Sequence, residues 1–300
     1  MLKKSLEDNG VDIMYNTRLA SVARSKGEFE LRTENGPLVT AKRVILATGG
    51  SSYKATGSSG DGFRIAESLG HKLIPLAPGL VPLKVKEAWV KGLQGIALEN
   101  VRITFEYGRK KAVSGVGELM FTHFGVSGQI VLDMSAEIVS ALGDHKEIKL
   151  FIDLKPGLKP TQLEGRLLNE FAAKGKTQLK TVMKSYLPQR LIKTFLELSG
   201  AHDEKAASQI TQKERRAIIG TFKAMPLTVT GALPLEEAMV TLGGVSTKEI
   251  DPRTMGSRIV PGLYFAGEVI NGSAPSGGYN LQQAFSTGYL AGQKAAESLG

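Results

Sequence analysis

Gly262-Leu-Tyr-Phe-Ala-Gly-Glu-Val-Ile-Asn-Gly-Ser-Ala-Pro-Ser-Gly-Gly-Tyr-Asn-Leu-Gln-Gln-Ala-Phe-Ser-Thr-Gly-Tyr-Leu-Ala-Gly292 begins with a short apolar run, Leu263 to Ala266. It continues through a glycine-rich loop, Gly267 to Gly278, into a helical pattern that starts near Tyr279 and runs to the terminus. A strand that delivers a loop onto a helix N-terminus presents backbone N–H groups and the positive end of the helix dipole to the crevice beside it. Gly277 and Gly278 allow a flat or anionic group to come close to the main chain. The stretch reads as a ligand-binding unit.

The same order of elements occurs upstream. Arg43-Val-Ile-Leu-Ala-Thr-Gly-Gly50 has four consecutive apolar residues, Val44 to Ala47, as a strand buried on both faces does, and it ends in paired glycines. Ser51 to Gly62 then leads into a helix over Phe63 to Leu69, with Asp61 or Gly62 as the expected N-cap and Gly70 just past the end. Two buried strands that each pass through glycines to a helix N-terminus make two edges of one kind of crevice. Ahead of them, residues 1–10 read as the end of a helix closed by Gly10, and Val11 to Tyr15 as a strand. Leu19 to Arg24, Glu28 to Thr33 and Leu38 to Ala41 read as a small antiparallel meander, with Asn35-Gly36 as its hairpin signal.

From about Pro75 the texture changes. Pro75, Pro78 and Pro82 mark a turn region, Gly95 to Tyr107 alternates as a strand does, and Gly115 to Met134 continues a β-rich module. After residue 134 the pattern is helical, with candidate helices at 135–142, 160–173, 176–186, 188–198 and 212–224. Pro160 suits a first helical position and Thr211-Gln-Lys-Glu214 a capping box. Pro226 to Val245 returns to β texture. A nested insertion follows: residues 1–74 and 253–300 form one domain, 75–134 and 226–252 an inserted barrel-like module, and 135–225 a helical bundle inside it.

With 300 residues and 42% apolar composition the chain can bury a substantial core. No apolar run approaches a membrane span and the first ten residues lack a signal-type apolar region, so a cytoplasmic protein is expected. Zero cysteines exclude thiolate nucleophiles and a flavin-to-dithiol relay, so redox chemistry would have to be carried by a cofactor. The net charge of +9 raises the question of an anionic partner, but the lysines are dispersed and only Arg109-Lys-Lys111 forms a run. Solvated faces account for that pattern, and a nucleic-acid partner is the weaker reading.

Five motifs in order carry a family resemblance: Ala47-Thr-Gly-Gly50 with Thr56-Gly-Ser-Ser-Gly-Asp-Gly62, Phe121-Thr-His-Phe-Gly-Val-Ser-Gly128, Val240-Thr-Leu-Gly-Gly-Val245 with Thr254 to Gly262, Gly262-Leu-Tyr-Phe-Ala-Gly-Glu268, and Gly277-Gly-Tyr-Asn-Leu-Gln282. The chain resembles the YhiN-type FAD-dependent oxidoreductases, also known as aminoacetone-oxidase-like or BaiN-like flavoproteins. The resemblance covers essentially the whole chain. It implies an α/β Rossmann-like FAD-binding domain interrupted by a β-barrel that contains a helical bundle. It further implies FAD as cofactor, NAD(P)H as a candidate electron donor and a small-molecule substrate.

By motif match, the resemblance implies that Ala47, Thr48, Gly49 and Gly50 line the cofactor crevice and that Glu268 takes the ribityl-hydroxyl role, with Gly267 and Gly277 also in the cofactor-binding set. It further implies that Gly278, Tyr279, Asn280, Leu281 and Gln282 bring backbone N–H groups to the pyrimidine edge of the flavin. A carboxylate suits the ribityl role because it accepts hydroxyl hydrogen bonds and donates none. No Gly-x-Gly-x-x-Gly follows a strand here; in the family that fingerprint lies upstream, so the resemblance implies a missing N-terminal part. Asn271 and Gln129 also depart from the family pattern, and no catalytic side chain is identified. Two other functions stand beside the oxidoreductase: a non-catalytic binding fragment, and a flavoprotein acting on RNA.

Isolated features have plainer readings. His123, among Phe121, Phe124 and Val126, reads as a packing histidine, and His71, after Gly70, as a helix-end residue. Asp61 reads as a helix cap, Trp89 and Tyr107 as core or rim of the inserted module, and no His, Asp or Glu pair has metal spacing.

Overall fold

A computed structural model describes the backbone from Leu2 and side chains from Lys3 to Gly300. The chain forms two compact units. One holds the chain up to Leu76 with 243–272 and 278–300; the other holds 77–242 with 273–277. The first residue of the expected N-terminal helix lies outside the described residues.

In the first unit, α1 (Leu2–Asp8) precedes a meander of β1 (Leu19–Ser25), β2 (Glu28–Thr33) and β3 (Leu38–Ala41). The meander is antiparallel, with Val22 opposite Leu31 and Phe29 opposite Ala41, and it turns the buried side chains of Val22 and Phe29 into the core. β4 (Val44–Leu46) and α2 (Asp61–Ser68) follow. Val11 to Tyr15 is not a strand: no ladder partner among the described residues receives it, and Val11, Met14 and Tyr15 are exposed. An apolar run becomes a strand only where a neighbour takes its N–H and C=O groups. α2 starts from Gly60 as N-cap, not from Asp61 or Gly62. Asp61, the first helical residue, instead takes a forked pair of hydrogen bonds from Arg18 at 2.8 and 2.9 Å, which tie the helix to the meander and hold its carboxyl far below the usual range.

The second unit is built on a closed barrel. Its strands are β6 (Leu83–Val85), β7 (Ala97–Tyr107), β9 (Gly117–Phe121), β10 (Gly125–Ser127), β11 (Ile148–Asp153) and β12 (Met225–Ala232), with β8 (Lys110–Val113) as a hairpin on β7. They run in the order β11-β12-β6-β10-β9-β7, and β7 pairs again with β11 to close the ring. Every seam is antiparallel, so no edge is left open except at the hairpin. Alternate residues of β7 and β11, among them Ile103, Phe105, Ile148, Leu150 and Ile152, fill the interior. β5 (Leu73–Gly79) and β13 (Val240–Val245), along which the chain leaves the first unit and returns, pair as a separate two-stranded sheet.

Two expectations for this region are corrected. Residues 129–134, expected as strand, are the first turns of α3 (Gln129–Leu142), which lays Ile130, Val131 and Ile138 on β7, β9, β10 and β12. Residues 148–153, expected within a purely helical stretch, form the barrel strand β11. The helices α4 (Pro160–Ala173), α5 (Leu179–Met183), α6 (Gln189–Ser199) and α7 (Gln212–Lys223) then form a bundle whose buried Leu163, Leu167, Phe195 and Phe222 share the barrel's hydrophobic core. At Thr211 both halves of the capping box form.

The first unit is completed by β14 (Leu263–Phe265) and α8 (Tyr279–Glu297). Its core contains a fully buried histidine. His71 Nδ1 lies 3.2 Å from Glu249 Oε2, Nε2 lies 2.9 Å from Ser257 Oγ, and the ring edge meets Phe265 at 4.8 Å. Ser257 Oγ already accepts the N–H groups of Ile259 and Val260 at 3.1 and 2.7 Å, so its own hydrogen goes to Nε2 and the Nδ1 hydrogen goes to Glu249.

The neutral ring is the form this arrangement fits. Burial lowers the His71 pKa below the ordinary 6.5, against an upward pull from Glu249. A proton therefore binds the unfolded chain more readily than the folded one. The stability that follows is present above the unfolded value and is lost as pH falls from there toward the depressed folded value. The urea midpoint is expected to fall as the pH is lowered from 7 to 5. His71→Gln should flatten that step. An unchanged pH profile in the variant would show that the acid sensitivity lies elsewhere.

Candidate functional site

β4 and β14 lie side by side in parallel register, Val44 opposite Leu263 and Leu46 opposite Phe265. Their carboxyl ends therefore open at the same edge, and in α/β sheets that edge is where ligands sit. The Ala266 N–H carries the ladder one step further to the Leu46 carbonyl at 3.0 Å. Past that point the two chains turn into glycine loops that remain joined: the Gly50 N–H donates to Glu268 Oε2 at 3.2 Å. Residues 218 positions apart thus meet at one strand edge.

Two local devices hold this edge. Gly62, at the start of α2, sits so close to the turn that a Cβ there would lie 1.9 Å from Thr48 Oγ1. The helix can approach the Ala47–Gly50 turn only because that position is glycine. On the other loop, Thr287 Oγ1 accepts the Gly267 N–H at 2.9 Å and donates to the Gln283 carbonyl at 2.7 Å. A hydroxyl two turns into α8 therefore fixes the turn that carries Glu268. Thr287 was not singled out by sequence; its one signal is its place on the face of the helix that carries Gln283 and Ala284, toward the strand.

The helix start is open. Gly278, the N-cap of α8, has φ 91°, no side chain caps it, and a Cβ there would meet nothing within 4 Å. Among the expected site residues, Ala47, Thr48, Gly278, Tyr279, Leu281 and Gln282 are exposed, Gly50 is buried, and Gly49, Gly267, Glu268 and Asn280 are partly buried. Gly277 groups with the second unit, not with the loop ends that flank it. There Ser276, its neighbour, donates its N–H to Asp133 Oδ1 at 2.8 Å.

The donors and acceptors suit a polyhydroxyl chain that leads to a flat, anionic or polarisable ring. Glu268 supplies the acceptor, and the glycine-led start of α8 supplies positive potential without a side chain in the way. His123 is exposed, its ring against Phe124, and His71 is committed to Glu249 and Ser257. Among the described residues no group of His, Cys, Asp and Glu could hold a metal ion. Along α8, Leu281, Phe285 and Tyr289 form an uncovered apolar strip at 66, 61 and 76% exposure.

Comparison with known proteins bears on the same edge. The profile of the HI0933-like protein Rossmann domain matches residues 1–294. A 3-dehydro-bile acid delta(4,6)-reductase of Clostridium scindens is 33% identical over 297 residues, covering 99% of this chain and 72% of the relative. Proteins named ribosomal RNA dihydrouridine synthase are also similar. The one from Escherichia coli is 33% identical over 98% of this chain and 70% of its own length, and the one from Haemophilus influenzae is 32% identical over 96% and 70%. No helix among the described residues is long and apolar enough to cross a membrane.

Proposed function

The chain belongs to the HI0933-like Rossmann family and is an oxidoreductase, and we propose that it uses FAD to reduce a ring carbon–carbon double bond conjugated to a carbonyl group. The observation that carries the reading is the Glu268 carboxylate bonded to the Gly50 N–H at the shared end of two parallel strands. The names of the relatives supply the bond type. A delta(4,6)-reductase of a 3-dehydro steroid and a dihydrouridine synthase both point to saturation of a ring double bond beside a carbonyl.

FAD, when bound, supplies the two-electron carrier that the cysteine-free chain lacks. The chain's own residues then bind, orient and polarise. Glu268 accepts hydrogen bonds from ribityl hydroxyls and fixes the loop of Gly50, while Thr287 keeps Gly267 from moving away. The start of α8, from Gly278 to Leu281, would offer backbone N–H groups and the positive dipole end to the ring, a setting that suits negative charge; the Gln282 N–H is already committed to the Gly278 carbonyl.

The test is spectroscopic. Purified chain, as isolated or after incubation with FAD, is expected to show a bound-flavin absorption band that bleaches with NAD(P)H and returns on adding a cyclic enone. Absence of any flavin binding rejects the reading. Bleaching that no conjugated carbonyl compound reverses rejects the bond type and leaves the cofactor.

A further inference from the structure

The first unit leaves a sheet edge and a helix flank uncovered. β4 is paired on one edge only: the Val44 N–H donates to the Gly262 carbonyl at 3.1 Å and the Leu46 carbonyl accepts the Ala266 N–H at 3.0 Å, so both residues turn main-chain groups toward β14. Ile45, between them, turns its N–H and C=O the other way, where no strand stands among the described residues. Its side chain is 39% exposed, while Val44 and Leu46 are buried. Two strands are too few for a stable sheet, and parallel sheets are covered on both faces.

Helix α8 shows the same want of a neighbour. Leu281, Phe285 and Tyr289 are exposed and follow one another every four residues, and Gly288 and Gly292 fall on the same flank with nothing within 4 Å of an added Cβ. The two charged residues of the helix, Lys294 and Glu297, lie off that flank and pair with each other at 2.6 Å. Ile45 projects from the face that α8 covers: it is opposite Tyr264 in register, and the Tyr264 hydroxyl donates to the Lys294 carbonyl at 3.3 Å. Val11 to Tyr15 adds a third sign, with strand texture, exposed apolar side chains and no ladder partner among the described residues.

We propose that this edge and flank are a docking surface for a strand–turn–helix unit carried by another polypeptide. Its strand pairs parallel to β4 through Ile45, and its amphipathic helix crosses over on the same face to cover Ile45, Phe285 and Tyr289, with the glycines of α8 allowing close approach. The relatives have length for such a unit. The matches cover 72, 70 and 70% of them, which leaves more than a quarter of each outside the match, whereas a strand with its crossover takes about thirty residues. A lipid surface does not fit, because a helix lying on a membrane carries Lys and Arg along its polar face, and α8 has one lysine, already paired. A second copy fits less well, because a twofold axis sets β4 antiparallel to itself, against the parallel order of its pair with β14. The surface is defined by uncovered main-chain and apolar groups, so it stands or falls apart from the flavin reading.

The experiment is co-expression of the tagged 300-residue chain with, as a separate polypeptide, the part of the Clostridium scindens relative that lies outside the match. A one-to-one complex is expected by light scattering after purification. In it the amides of Ile45 and of Val11 to Tyr15 should exchange with deuterated water at least about tenfold more slowly than in the chain alone. Phe285→Asp with Tyr289→Asp should lower recovery of the second polypeptide at least about tenfold, while Leu168→Asp, at an exposed apolar position of the second unit, should change it by less than about twofold. All three positions are exposed, and thermal melts check that the variants fold. The proposal is overturned by no co-purification, by equal recovery with the Phe285 and Tyr289 variant, by unchanged exchange at Ile45, or by a homodimer of the chain that the same variant dissolves.

Discussion

Glu268→Ala is expected to weaken FAD binding by ten- to a hundredfold while lowering the melting temperature by only about 2–6 °C. A hydrogen bond to a charged group contributes about 1.5–3 kcal/mol, and removal of the carboxylate also leaves the Gly50 N–H without its partner. Gly50 is buried, so leaving that N–H without a partner also costs folding about 1–3 kcal/mol. Binding loses twice: the ribityl acceptor disappears, and the Ala47–Gly50 turn is no longer tied to the Gly267 turn. Glu268→Gln, which retains one acceptor oxygen, should fall between the two. Titration by flavin fluorescence quenching, with a thermal melt alongside, separates the effects. An alanine variant that binds FAD as well as the parent would remove Glu268 from the site.

The reason this edge could be anticipated is that its chemistry is written in contiguous residues. Leu263 to Glu268 and Val44 to Gly50 each show a buried strand and its glycine turn within one short window, and β4 and β14 form there. What the windows could not contain is their mutual register, which depends on a parallel pairing across more than 200 positions. The close approach of Gly62 to Thr48 and the bond from Gly267 to Thr287 are likewise properties of packing, not of pattern.

Elsewhere local pattern and tertiary context disagreed. Gln129-Ile-Val-Leu-Asp-Met134 has the β-branched texture of a strand, yet it follows Gly128, whose φ of 94° turns the chain out of β10 and into a helix covering the barrel. Ile148-Lys-Leu-Phe-Ile-Asp153 has clear period-two burial, but its place was obscured by the helical sequences on both sides. Its partners are β7 and β12, and neither pairing can be inferred from residues near it.

Gly125→Ala is expected to destabilise the protein by about 3 kcal/mol or more. Gly125 of β10 lies opposite Lys84 of β6, and a Cβ there would sit 2.0 Å from the Leu83 carbonyl oxygen and 3.0 Å from the Lys84 Cα. Both obstacles are backbone, so no rotamer change relieves them; one strand must move. That seam is one of six in the ring, and β6 and β10 are each only three residues long, so the pair has no neighbouring ladder bonds to spare. Opening it exposes Leu83 and Val126, both fully buried, and frees the end of the barrel against which α3 packs. Gly220→Ala is the matched control. It lies on the exposed side of α7, nothing stands within 4 Å of its added methyl, and alanine there should stabilise by about 0.5–1 kcal/mol through helix propensity. Urea unfolding of the two variants should therefore shift in opposite directions. A Gly125→Ala protein that unfolds with the parent midpoint would mean that β6 and β10 do not approach this closely, and that the barrel is open at this seam.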